Sequence, residues 1–219
     1  MSGEAKRVIP AMRFDALTRF YDPAVRKLLP EDKFRGQLLR QARIEPGYRV
    51  LDLGCGTASL TLLVKQAVPD ARVTGIDADE RVLALAQEKA RRAGADIALH
   101  RASADALPFA DAIFERVLTS MVLHHLTPAA KLGALRESWR VLRPGGELHL
   151  ADWGKPAGAA MWVLYQLVRG FDSWETTRDH QKGLLPKFIC EAGFSGVQET
   201  ARFNTVLGTM RLYAARKPF

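Results

Sequence analysis

Two aspartates, two glycines and two adjacent histidines are the residues of this chain whose types and spacing could do chemistry. Asp52 interrupts the apolar run of Arg49 to Leu53, and that run delivers the backbone into Gly54-x-Gly56. Glycines there allow a sharp turn and let a ligand approach main-chain N–H groups that a Cβ would shield, beside the positive end of the helix that follows. A nucleotide-like ligand is therefore expected at the turn. Asp77 comes 23 positions after Gly54, the length of one helix plus one strand. That spacing sets a carboxylate beside the bound nucleoside, where its two oxygens can accept from both ribose hydroxyls. The other role open to Asp77, or to Asp79, is to cap the helix that starts at Glu80; we assign the cap to Asp79 and the ribose to Asp77. His124 and His125 supply imidazoles, which titrate near neutrality and suit the removal of a proton from a reacting hydroxyl. Either could instead be a hydrogen-bonding residue of its loop. As the base, His125 is preferred, because Leu123 and Leu126 are expected to point into the core.

What the turn lacks narrows the ligand. A dinucleotide fingerprint wants a third glycine five positions after the first, where this chain has Ser59, and no Gly-Lys-Ser/Thr of a phosphate-binding loop follows. Asp52, in an otherwise apolar strand, is costly to bury unless donors or a cation meet it. S-adenosylmethionine offers two cationic groups, an ammonium and a sulfonium.

These residues need a scaffold of alternating strands and helices. After the turn, Leu60, Leu63, Val64 and Ala67 form the buried stripe of a helix that Pro69-Asp70 ends, and Arg72 to Ile76 is the next strand. A helix from Glu80 to Ala93, a strand from Ile97 to Arg101 and a fourth strand from Arg116 to Thr119 follow. Thr127-Pro128 reads as an N-cap and first helical position, with Leu132, Leu135, Trp139 and Leu142 as the buried face and Pro144-Gly145-Gly146 as the stop. Strand five, Glu147 to Ala151, ends at Asp152-Trp153. The apolar stretch Ala159 to Val168 is too short to span a bilayer; it is a lid or a core helix, and Phe171 and Trp174 extend it as an aromatic wall for a substrate or as packing. Leu184 to Ala192 is a helix stopped by Gly193, and Val197 to Ala201 and Gly208 to Ala214 make a closing hairpin.

On the residues Val50-Leu51-Asp52-Leu53-Gly54-Cys55-Gly56-Thr57 the chain resembles the class I S-adenosylmethionine-dependent methyltransferases, and within them the ubiquinone/menaquinone-biosynthesis-like (type 11) group. That family's first motif reads acid-x-Gly-x-Gly-x-Gly, and Ala58 stands at the third glycine. Phe109-Ala110-Asp111-Ala112-Ile113-Phe114-Glu115-Arg116-Val117 echoes a second family motif, with Glu115 in place of an aspartate, and Ala192-Gly193-Phe194 a third. The resemblance covers roughly residues 20 to 217. It implies that Asp52, Gly54, Cys55, Gly56, Asp77, Ala78 and Thr119 border the cofactor, that Ala104 and Asp105 hold its adenine, and that Tyr21, of a Tyr21-Asp22 pair, touches it from a covering helical segment. Packing of that segment is the equal alternative for Tyr21. After strand four the chain carries Leu123-His124-His125 rather than the Asn/Asp-Pro-Pro-aromatic clamp of enzymes that methylate planar nitrogens, so the resemblance places two imidazoles where a methyl group would be transferred.

Composition sets the outer bounds. At 219 residues and 47% hydrophobic content the chain can bury a sizeable core as one domain. No apolar run reaches membrane-spanning length and the first dozen residues lack a signal peptide's apolar centre, so a cytoplasmic location is expected. Cys55 and Cys190, the only cysteines, specify neither a disulfide framework nor a thiolate metal site, and no metal is expected. The net charge of +8 is spread along the chain without a basic block or interleaved aromatics, so no nucleic-acid partner is expected.

The reading is a three-layer, Rossmann-like α/β domain with a seven-stranded sheet, mainly parallel with a final antiparallel strand. Residues 1–45 form an N-terminal helical cap, 46–152 the cofactor-binding core, 153–183 an insertion or lid and 184–219 the closing helix and strands. The function implied is methyl transfer from S-adenosylmethionine to a small, lipophilic or aromatic molecule, leaving S-adenosylhomocysteine, with peripheral membrane contact if the acceptor is a lipid. Two rivals stand beside it: a non-catalytic protein that binds the cofactor or its demethylated product, and a nicotinamide-dependent oxidoreductase. The residues specify no oligomeric state.

Overall fold

The computed structural model describes residues 31–158, 161–162, 174–205 and 208–219. Tyr21 and the rest of the expected cap before Glu31, most of the apolar stretch 159–168 and Phe171 lie outside them. The described chain begins with helix α1, Glu31–Ala42, whose Phe34, Leu38 and Ala42 recur at four-residue intervals and are all buried. Strand β1, Arg49–Leu53, is buried from Val50 onward, as a strand covered on both faces must be. Then come α2 (Ser59–Ala67), β2 (Arg72–Asp77), α3 (Glu80–Arg92), β3 (Ala98–Arg101) and β4 (Phe114–Ser120). A short 3₁₀ turn, Leu123–His125, leads to α4 (Pro128–Val141) and β5 (Leu142–Trp153), and the chain closes with α5 (Trp174–Gln181), α6 (Leu185–Glu191), β6 (Ser195–Thr205) and β7 (Gly208–Arg216).

The seven strands form one sheet in the order β3-β2-β1-β4-β5-β7-β6, with β7 antiparallel to both neighbours and every other pairing parallel. The expected sheet is the observed one. From β1 the chain winds outward through β2 and β3, then returns to place β4 on the other side of β1. Ligands of open α/β sheets bind at the carboxyl ends of strands where the winding reverses, here the ends of β1 and β4. One apolar cluster, with Leu51, Phe114, Leu135 and Ile189, lies against α4 and α6; another, with Phe34, Val50, Val64 and Leu212, lies against α1 and α2.

Two helices bury faces other than those expected. In α2 the buried residues are Leu60, Thr61, Leu62 and Val64, while Leu63 is half-buried and Ala67 less buried than the stripe requires. This helix packs on two sides, Leu60 and Val64 toward the sheet and Leu62 toward Ala86 and Ala90 of α3, so its buried arc is wider and shifted. In α4 the buried residues are Lys131, Ala134, Leu135, Ser138 and Val141, with Leu132 and Trp139 at the rim. That helix stops at Val141. Leu142 already pairs with Phe114, and Pro144-Gly145-Gly146 falls in a bulge before the ladder resumes at Arg116 and Glu147. No described helix is long and apolar enough to cross a membrane.

Candidate active site

The two glycines of the turn do different work. Gly54 has φ +70°, and a Cβ on it would lie 2.5 Å from Val122 Cγ2, so the protein's own packing demands glycine there. Gly56 has φ +54° and nothing within 4 Å of where its Cβ would be, which leaves that face open for a ligand. Ala58, in place of the third glycine, takes the left-handed conformation at φ 60° and ψ 29° as it starts α2, at a cost of roughly 1–2 kcal/mol for a residue with a Cβ. The turn's amides are already engaged: Cys55 N–H donates to Ile76 O at 2.8 Å, Gly56 N–H to Asp77 Oδ2 at 2.9 Å and Ala58 N–H to Cys55 O at 2.9 Å. A phosphate cradle needs such N–H groups aimed at the ligand, so this turn suits a ligand without phosphates. The Cys55 side chain packs under the sheet, where a Cβ on Gly75 would be 2.9 Å from its sulfur, and burial pushes its thiol pKa up.

Asp52 is 1% exposed and accepts a 2.6 Å hydrogen bond from Thr61 Oγ1. Burial drives its pKa up to about 6, against the opposing pull of the Thr61 bond and of Arg35. Among the described residues no cationic side chain hydrogen-bonds this carboxylate, so a cationic ligand group would supply what its burial lacks. The residues present thus fit S-adenosylmethionine: an open face at Gly56, no phosphate cradle, and a buried acid that no cationic side chain among the described residues hydrogen-bonds. Asp77 is half-buried, and its second oxygen accepts Asp79 N–H at 3.0 Å. Asp79 caps α3, accepting Arg81 N–H at 2.9 Å, in agreement with the expected cap. Ala78 is exposed, Ala104 and Asp105 are half-buried beyond the end of β3, and Asp105 accepts from Ser103 Oγ. Thr119 is buried at the end of β4 and donates to Leu53 O at 2.9 Å, tying β4 to β1.

At the ends of β4 and β5 sits a cluster of buried titratable groups. Asp152, 1% exposed, accepts Leu123 N–H at 2.8 Å on one oxygen and Trp153 N–H at 2.7 Å on the other. His124 Nδ1, 4% exposed as a residue, lies 2.7 Å from Asp152 Oδ1. Burial alone would raise the Asp152 pKa, but His124 and the other groups around it outweigh that and hold the carboxyl well below its usual range. An ionised Asp152 accepts, so His124 Nδ1 carries a proton, and the neutral tautomer that this contact selects is the one with its lone pair on Nε2. His125 stacks at a tilt on His124, ring centroids 3.8 Å apart, and makes no hydrogen bond to Asp152. Its surface is exposed, while the desolvation around its ring and the neighbouring His124 disfavour its imidazolium. The structure therefore ties His124 to a buried acid, where the sequence pattern favoured His125.

Three residues of this region carry no clear site signal in the sequence. Asp152 stands there only as the end of strand five, and its position at a carboxyl edge was the available signal. His180, on α5, donates from Nδ1 to Trp153 O at 2.6 Å and lies 4.0 Å from Asp152; nothing local to its helix marks it. Lys131, 0% exposed on α4, pairs with Asp179 of α5 at 3.3 Å and has the sequence surroundings of an ordinary surface lysine.

Residues 50–146 match the family described as a methyltransferase domain. Over 169 residues, 77% of each chain, this sequence is 31% identical to an uncharacterized methyltransferase of Synechocystis sp.. It is 35% identical over 201 residues, 82% of this chain and 77% of the other, to the ubiquinone/menaquinone biosynthesis C-methyltransferase UbiE of Blochmanniella floridana. The match to the demethylmenaquinone methyltransferase of Thermus thermophilus, 36% identical over 119 residues and 54% of this chain, spans about half of that protein (53%). In fold, the chain is similar to the [4+2]-cyclase SpnF, with a TM-score of 0.70 and 20% identity over 85% of this chain and 81% of that one.

Proposed function

We propose that this chain, which belongs to the class I S-adenosylmethionine-dependent methyltransferases of the ubiquinone/menaquinone-biosynthesis kind, methylates a small, largely apolar aromatic acceptor bearing a hydroxyl, of the quinol or phenol class. The observation that carries the proposal is the 2.7 Å contact between His124 Nδ1 and the buried Asp152, at the ends of β4, which adjoins the glycine turn's own strand, and of β5, the next strand out. A carboxylate-held imidazole with a free Nε2 is a proton acceptor in a fixed tautomer. The UbiE relative carries ubiquinone and menaquinone biosynthesis in its name, and the apolar stretch 159–168 supplies residues suited to such a ring or its tail.

When bound, S-adenosylmethionine supplies a methyl group on a positively charged sulfur, which departs as the neutral thioether S-adenosylhomocysteine. Asp52 balances the cofactor's positive charge, Gly56 leaves it room, and Asp77 takes the ribose, with Ala104 and Asp105 at the adenine and Tyr21 covering it. His124 Nε2 receives the hydroxyl proton as the acceptor becomes a nucleophile, and Asp152 stabilises the imidazolium. Much of the acceleration comes from alignment of acceptor and methyl carbon in one crevice. On this reading the protein works in the cytoplasm, with residues 1–45 and 153–183 as cap and lid over the core, contact with a membrane surface when the acceptor is a lipid, and no nucleic-acid partner.

Release of S-adenosylhomocysteine, measured against separate pools of naphthoquinols, phenols, amines and phospholipids, tests this. Turnover in the quinol or phenol pool is the expected result. Turnover confined to amines or phospholipids would replace the acceptor class, and cofactor binding without product from any pool would favour a non-catalytic binding protein.

A further inference from the structure

At the edge of the sheet opposite the glycine turn, a cleft of about 620 Å³ lies between the last turn of α1, the amino end of the β5 ladder and the β6–β7 hairpin. None of the residues assigned above to cofactor or acceptor borders it. Among the described residues, the cleft's basic side chains are Arg40, Arg43 and Arg216, and its one acid is Glu147. That acid is already engaged. Glu147 is buried, accepts from Arg216 Nη2 at 2.9 Å and from His149 Nε2 at 3.2 Å, and has Arg116 at 3.6 Å. The His149 bond, with Arg216 and Arg116, outweighs burial and keeps the carboxyl ionised, while burial disfavours an imidazolium at His149. Three arginines thus line the cleft against one carboxylate that is bonded from two sides.

The other two arginines have no acidic partner among the described residues. Arg40 donates to the side-chain oxygen of Gln37 at 2.8 Å, and Arg43 makes itself felt in the cleft by disfavouring charge on His149. Arg43 also holds a backbone conformation that a residue with a Cβ resists: its φ is +44°, just past Ala42 where α1 ends, a place where glycine is the usual residue. The negative end of the helix dipole favours a cation there, but Arg40 in the last turn already supplies one. That preference does not require the strained residue itself to carry a long cationic side chain. Strain of this kind gathers where a side chain has a task.

The walls are tied together without a ligand. Gln41 donates from Nε2 to Tyr213 O of β7 at 3.2 Å and accepts from Thr200 Oγ1 of β6, which fixes the end of α1 to the hairpin. Ser195 and Gln198 of β6, both exposed, add a hydroxyl and an amide to the rim. No Phe, Tyr or Trp side chain lines the cleft among the described residues, so neither a nucleobase nor an apolar ring finds a stacking surface. Its volume falls in the range of small-molecule sites, roughly 300–1,000 Å³, and guanidinium groups recognise oxyanions through paired N–H bonds. We infer that this cleft is a second ligand site, in which Arg40 and Arg43, together with Arg216 of β7, hold a small, multiply charged oxyanion bearing phosphate or carboxylate groups. The inference does not depend on the acceptor class, since it uses no residue of the methyl-transfer crevice.

The test is calorimetric titration of the full chain with inorganic tripolyphosphate and, separately, with citrate, at low ionic strength so that salt does not screen the contacts, with and without S-adenosylhomocysteine. The parent should bind at least one of the two saturably, one per chain, with the same affinity whether or not S-adenosylhomocysteine is present. Tighter tripolyphosphate binding marks a phosphate-bearing ligand, tighter citrate binding a polycarboxylate, and equal affinities the chemistry the two share; each supports the site. Arg43→Gly and Arg40→Gln should each weaken binding at least about tenfold, the worth of a charged hydrogen bond. Arg43→Gly should also melt no lower than the parent in the absence of anion, because glycine accepts the left-handed conformation, so its loss of binding cannot be a loss of fold. Arg72→Gln, which removes an exposed arginine at the start of β2 outside the cleft, should bind as the parent does. No saturable binding of either anion by the parent overturns the inference. So does an equal loss in Arg72→Gln and Arg43→Gly, which would reduce the binding to the general attraction of a basic surface, and so does displacement of the anion by S-adenosylhomocysteine.

Discussion

The carboxylate of Asp77 holds the backbone N–H of Gly56 at 2.9 Å across the gap between two strand ends, and with its other oxygen holds the amide of Asp79. One side chain thus fixes the glycine turn and stands where the ribose is expected. Asp77→Ala should therefore do two things: weaken S-adenosylmethionine binding by about tenfold or more, since bonds to a charged acceptor are worth about 1.5–3 kcal/mol each, and lower the melting temperature of the ligand-free protein by freeing the turn. Asp79→Ala removes a helix cap, about 0.5–2 kcal/mol, and an exposed pair with Arg81, and should leave the dissociation constant unchanged. Calorimetry and thermal melts on both variants check this; a large binding loss in Asp79→Ala would reverse the assignment.

The glycines should fail in different ways. Gly54→Ala sets a Cβ against Val122 and should destabilise the fold by about 1–3 kcal/mol, the usual cost of overpacking, with much of that recovered in the double variant Gly54→Ala, Val122→Ala. Gly56→Val meets no protein atom at its Cβ; beyond the backbone strain of a branched residue at positive φ, it should keep its fold and lose cofactor binding. Chemical denaturation and binding measured together separate the two. An intact affinity in a folded Gly56→Val protein would mean that the open face is not the cofactor's.

Asp52 gives a pH dependence whose sign is fixed. Its pKa is about 6 in the folded chain against an ordinary 3.8, so between those values the folded state binds more protons than the unfolded one, and stability falls as pH rises across that window. A positively charged ligand favours the ionised form. S-adenosylmethionine affinity should therefore rise with pH up to about 6 and level off above it, with proton release on binding below about pH 6, and Asp52→Asn should flatten both curves. Titrations in buffers of different ionisation enthalpy read the proton directly; affinity independent of pH from about 4 to about 7 would remove Asp52 from the cofactor's surroundings.

His124→Ala should lower turnover about a hundredfold or more, the usual scale of general-base assistance, with cofactor affinity unchanged. Asp152→Asn should lose turnover too, because the imidazole's tautomer is no longer enforced, and it should also lose about 1–3 kcal/mol of stability through the amides of Leu123 and Trp153. His125→Ala, which breaks no bond to Asp152, should retain most activity. Rate profiles across pH for the three variants check this, and near-parent rates in His124→Ala at every pH would leave alignment alone as the source of catalysis.

Local periodicity and spacing made much of this protein legible. Strand β1, the glycine turn, the Asp79 cap, the Thr127 cap and the closing hairpin all lie within a few residues of the signals that specify them, because turns, caps and alternating burial are properties of neighbours in the chain. The distance from Gly54 to Asp77 is legible likewise, since one helix and one strand have nearly fixed lengths, and it brings Asp77 against the Gly56 amide. What the sequence could not decide were relations across the sheet. Only packing on two sides widens the buried arc of α2; only the register of β4 against β5 turns Pro144-Gly145-Gly146 into a bulge. The same holds at the site. His124 and His125 are adjacent and chemically alike, and what distinguishes them is Asp152, 28 residues away in the chain and 2.7 Å away in space from His124 alone. His180 joins that cluster because α5 packs against the 3₁₀ turn. Whether a histidine is held by an acid, by a carbonyl or by nothing depends on which distant backbone folds beside it, and the tertiary structure alone supplies that.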